Sequence, residues 1–89
     1  EYFEKTKHAD ALAMQIKQAF KDKGIPFWVD SSTNQQFVIL TAQQKEQLAQ
    51  GYYFEEEGTT QQGTIVRFCT SWATTQQEVD ALIADIAKL

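Results

Sequence analysis

The sequence predicts an α+β fold: a small two-layer domain with elements in the order α-β-β-α-β-β-α. Three observations carry this expectation. Apolar residues recur at helical spacing from about residue 4 to 23, and again at about 76–88. Between them lie four short β-rich runs separated by turn chemistry. Two capping boxes, Thr41 to Gln44 and Thr75 to Glu78, mark where the later helices begin. Helices of this kind pack mainly on one face of an antiparallel sheet.

In the first helix, Ala9, Leu12, Ala13, Ile16, Ala19 and Phe20 fall on one face. Glu1 and Glu4 lie near the positive end of its dipole, and Lys17, Lys21 and Lys23 toward the negative end. Gly24 and Pro26 stop it, because Gly suits a left-handed cap and Pro cannot continue a helix. Two strands at about 26–30 and 36–40 then form an antiparallel hairpin around the polar loop Asp30-Ser-Ser-Thr-Asn34. A short surface helix follows at about 42–50, ending at Gly51, with Ala42, Leu48 and Ala49 as its narrow apolar contact. A third strand is expected at about 52–57 and a loop from Gly58 to Gly63. The fourth strand, Thr64-Ile-Val-Arg67-Phe-Cys69, pairs with the third. The last helix buries Val79, Leu82, Ile83 and Ile86 and leaves Asp80 and Asp85 outside.

Eighty-nine residues make one small domain, which buries roughly 60–65% of its unfolded surface. With 43% apolar and 22% charged residues the composition is that of an ordinary globular chain. A net charge of −4 and the lack of a Lys/Arg stripe argue against nucleic acid. No apolar run approaches the ~18 residues of a membrane span. The lone Cys69, expected to be a buried and inert thiol, fits a reducing, cytoplasmic setting. The chain begins at Glu1, without an initiator Met and already in helical pattern, and is read as a piece cut from a longer protein.

Few residues carry chemistry. His8 reads as a solvated or capping histidine, Trp28 and Trp72 as core or interface residues, and Glu55-Glu56-Glu57 as a solvated edge. No spacing of Cys, His or carboxylates suggests a metal site, and Gly24, Gly51, Gly58 and Gly63 are too scattered to cradle a phosphate. Arg67 stands apart. Side chains alternate along a strand, so Ile65, Arg67 and Cys69 share one side and Val66 and Phe68 the other. A guanidinium in such a strand is costly unless an anion meets it. Two sources of that anion stand open: a carboxylate among Glu55–Glu57 on the neighbouring strand, or a ligand suited to a bidentate fork. Thr70, Ser71 and Trp72 would form a polar rim at the strand's end.

The strings Arg67-Phe-Cys-Thr-Ser-Trp72-Ala-Thr-Thr75 and Glu78-Val-Asp-Ala-Leu-Ile83, with Ile25-Pro-Phe-Trp-Val-Asp30 and Thr33-Asn-Gln-Gln-Phe-Val38, resemble the C-terminal small domain of PLP-dependent lyases. The group is the threonine aldolase / β-eliminating lyase branch of the aspartate aminotransferase-like, fold type I superfamily. The resemblance covers essentially the whole chain as the small domain of a two-domain enzyme. It implies a large N-terminal domain holding the pyridoxal 5′-phosphate, its Schiff-base lysine, the carboxylate facing the pyridine nitrogen and the stacking ring. None of Lys5, Lys7, Lys17, Lys21, Lys23, Lys45 or Lys88 sits in the context of that lysine. The chain alone is therefore expected to be inactive, with no catalytic, cofactor-binding or metal-binding residue of its own.

In such enzymes an arginine on this strand grips the substrate α-carboxylate, and Arg67 matches that position. The implied reaction is cleavage of a β-hydroxy-α-amino acid, L-threonine or allo-threonine, to glycine and an aldehyde. The implied partners are the amino-acid substrate, the chain's own large domain and further subunits in a dimer or tetramer. Many aldolases carry a histidine just after this strand where the chain has Ser71-Trp72, which leaves the exact substrate open. The alternative is a stand-alone small α+β module that binds an anionic metabolite or a protein partner.

Overall fold

A computed structural model describes residues 2–71 and 73–89. Its elements are α1 (Tyr2–Lys23), β1 (Phe27–Val29), β2 (Gln35–Leu40), α2 (Ala42–Ala49), β3 (Glu55–Thr60), β4 (Gly63–Cys69) and α3 (Gln76–Ile86). The predicted order of elements is the observed one. The four strands form one antiparallel sheet in the order β1-β2-β4-β3. The chain thus leaves β2, crosses through α2 and returns by the β3–β4 hairpin, which seats β4 between β2 and β3.

Sheet alternation builds the core. In the register of β2 on β4, Val38 faces Val66 and Gln36 faces Phe68. The same side carries Leu40, and all three helices contribute to it: Leu12, Ile16 and Phe20 from α1, Leu48 from α2, and Val79, Leu82 and Ile86 from α3. Phe68 is gripped between Phe20 and Phe54, with ring centroids 5.3 and 5.1 Å away in tilted packing. The other side of the sheet carries Phe37 opposite Arg67 and Ile39 opposite Ile65, and neither isoleucine belongs to the main cluster.

Local chemistry sets the boundaries. Gly24, at φ 78°, ends α1 as a left-handed cap. Both capping boxes form in full: Thr41 and Gln44 exchange bonds at 3.0 and 3.2 Å, Thr75 and Glu78 at 2.9 and 3.1 Å. Accepting from the Thr75 amide and hydroxyl, at 2.9 and 3.0 Å, holds the Glu78 carboxyl below its ordinary range.

Three expectations are corrected. The third strand is Glu55–Thr60, later than 52–57, and the Gly58–Gly63 loop shrinks to a tight turn. The reason is Thr60, whose Oγ1 accepts from the Gln62 and Gly63 amides at 3.1 and 3.2 Å and closes the turn. Gly58 stands inside the strand opposite Ile65, beside a register shift after Glu56. Asp85 is not an outside residue: it is half-buried and accepts a hydrogen bond from the Tyr52 hydroxyl. Of the two readings of Trp28, core or interface, its 57% exposure removes the first, because alternation along β1 turns it away from the core side that Phe27 packs on. Trp72 and Glu1 lie outside the described residues.

Candidate functional site

Arg67 sits at the middle of β4, flanked by Phe37 on β2 and Glu55 on β3 in direct cross-strand register. Its position on the side of the sheet away from Val66 and Phe68 follows from strand alternation alone. Its Nη2 donates to Glu55 Oε2 at 2.5 Å, and its Nε lies 3.7 Å from Glu57 Oε2. That second separation is an ion pair but too long for a hydrogen bond. The Nε atom is itself buried and finds no hydrogen-bond acceptor among the described residues. The bond to Glu55 is the first cause that holds the guanidinium cation above its already high ordinary pKa.

One cation thus meets two carboxylates. Of the two sources of anion left open by the sequence, the neighbouring strand supplies one, through Glu55 and Glu57 rather than Glu56. Glu56 turns to the other side and pairs with Lys45 at 3.3 Å. An anionic ligand at Arg67 would meet the Glu55 carboxylate already bonded to Nη2.

The surroundings depart from expectation in two respects. Cys69 is exposed rather than buried, because β4 ends there. Its thiol is pushed up by partial desolvation, a rise that the nearby Arg67 charge opposes. Thr70 is no rim residue: it is 4% exposed, and its hydroxyl donates to the Ala9 carbonyl at 2.6 Å. Its backbone and Asn34 exchange further bonds at 3.0 and 2.8 Å, which lock the end of β4 to the start of β2 and to α1. Ser71 does remain exposed. His8 is exposed and caps no helix end: its Nε2 bonds the Thr74 carbonyl oxygen at 2.8 Å, tying the segment before α3 to α1.

Several lysines have local partners. Lys17 bonds Asp30, which holds that carboxyl below its ordinary range, and Lys23 bonds the Ala87 carbonyl at 2.9 Å. Among the described residues no group of three or more His, Cys, Asp or Glu is placed to hold a metal ion, and no helix is long and apolar enough to cross a membrane.

No family model matches the chain, and no curated protein matches it in sequence. Solved structures do. Threonine aldolase from Leishmania major superposes with a TM-score of 0.86 at 28% identity, over 91% of this chain and 24% of that one. The chain spans about a quarter of the length of that structure. Its α+β architecture is that of a threonine aldolase C-terminal domain.

Proposed function

We propose that the chain is the C-terminal, substrate-closing domain of a PLP-dependent lyase of the threonine aldolase type. The parent enzyme would cleave L-threonine or allo-threonine to glycine and an aldehyde. The observation that carries this is the likeness to threonine aldolase over 91% of the chain. The cofactor, its lysine and the reacting atoms would belong to a large N-terminal domain, and the whole would work as a dimer or tetramer in the cytoplasm.

Within that enzyme Arg67 is proposed to bind the substrate α-carboxylate. A guanidinium stays charged at every working pH, and its planar fork matches a carboxylate. Gripping the carboxylate fixes the amino acid's orientation, a contribution of positioning rather than of bond chemistry. The unsatisfied Nε and the single hydrogen bond to Glu55 support this reading, since the guanidinium is not saturated by its internal partners.

The test is made on protein from the native source. The expected result is a mass several times that of this chain, visible absorbance from bound pyridoxal 5′-phosphate, and glycine and an aldehyde formed from threonine. In that enzyme Arg67→Lys is expected to lower kcat/KM by roughly 100-fold, as loss of a bidentate charge-assisted contact implies, with little change in thermal stability. A colourless protein of this chain's own mass would instead support the stand-alone binding module. Equal loss of folding and turnover in Arg67→Lys would make Arg67 a structural ion-pair residue only.

A further inference from the structure

We propose that Glu55 is a displaceable internal carboxylate, occupying on Arg67 the place of the substrate's α-carboxylate and thereby setting how tightly the parent enzyme holds its amino acid. The inference rests on the reading of Arg67 given above. Glu55 carries the same functional group as the proposed ligand and stands directly across from Arg67, with Nη2 to Oε2 at 2.5 Å. Its hold is incomplete. The guanidinium offers five N–H donors in a fork, Glu55 takes one hydrogen bond, and the buried Nε has no acceptor among the described residues, Glu57 stopping at 3.7 Å.

A buried donor without an acceptor is a standing cost that a better-matched anion reduces. Glu55 is also free to leave. It lies on β3, an edge strand, its side chain is 46% exposed, and an ion pair so open to water is weak. Glu55 therefore keeps Arg67 extended and charge-balanced while the site is empty, then yields to a carboxylate presented in bidentate geometry. Because the two carboxylates compete, every substrate molecule binds against Glu55.

The experiment uses the whole enzyme and two readouts: KM for L-threonine, and the dissociation constant of labelled acetate followed by NMR, which needs no turnover. Glu55→Gln is expected to lower both by roughly two- to fivefold, the worth of an exposed ion pair. Glu57→Gln is expected to have a smaller effect, and Arg67→Lys to raise both. Glu55→Asp, which keeps the charge but withdraws it from Nη2, serves as the second variant and is expected to tighten binding as well. If Arg67→Lys weakens both ligands while the Glu55 variants leave them unchanged or weaker, Glu55 is a structural partner: the inference falls and the Arg67 reading stands. If Arg67→Lys changes neither, the Arg67 reading fails and the role of Glu55 fails with it.

Discussion

Gly63 shows how one residue can govern the sheet that carries Arg67. It opens β4 at φ 152°, in a region that side chains avoid, and a Cβ there would lie 2.2 Å from the Leu40 carbonyl oxygen. That oxygen is backbone and cannot swing aside. Gly63→Ala is therefore expected to destabilise the chain by roughly 2–4 kcal/mol, measured by urea unfolding. Gly58 is the control. A Cβ there meets only the Ile65 Cδ1 at 3.9 Å, an ordinary contact, so Gly58→Ala should change stability far less. The contrast separates a glycine required by close approach from one that merely sits at a strand irregularity.

Elements are joined by a few polar contacts whose energetics depend on pH. Tyr52, between α2 and β3, donates to Asp85 on α3. Its phenol is pushed up to about 12, first by burial and then by the Asp85 bond. A folded value above the ordinary 10.0 means the protonated phenol is favoured by folding. The stabilisation is complete below about pH 10 and lost as pH rises through about 12. Tyr52→Phe is expected to cost about 1 kcal/mol at neutral pH and to flatten the loss of stability above pH 10. Chemical denaturation at a series of alkaline pH values checks both parts. A variant that loses stability in that range as steeply as the parent would assign the effect to another group.

At the scale of the whole molecule, one cluster ties α1, α2 and α3 to the central strands, so no element has a core of its own. Phe20 is 0% exposed and packs its ring on Phe68, at the junction of the first helix with the strand that bears Arg67. Phe20→Ala is expected to cost about 3–5 kcal/mol by leaving a cavity there. Since domains of this size are stable by only about 5–15 kcal/mol, the loss should shift the denaturation midpoint sharply. Far-UV and near-UV signals should still fall together, because a single core gives a single transition. Separate transitions would show that α1 unfolds independently of the sheet.

Much of this was legible in the chain itself. Period and caps determine the helices: the α1 face, Gly24, and the Thr41 and Thr75 boxes act locally, through bonds between residues three or four apart. Strand alternation likewise determines that Arg67 and Phe68 face opposite sides. Only tertiary structure decided the rest. Glycines on either side of polar residues suggested a loop, but Thr60 turned it into a tight hairpin and moved β3 by three residues. That shift selected Glu55 and Glu57, and not Glu56, as the carboxylates facing Arg67. The parity of 55 and 57 was visible beforehand; the strand register that brings them opposite residue 67 was not. Thr70 and Tyr52 were hidden for the same reason, since Ala9 and Asp85 lie 61 and 33 residues away in sequence. Local hydrogen bonds are encoded by neighbours, whereas the partner of an isolated polar side chain is chosen by which strands and helices meet.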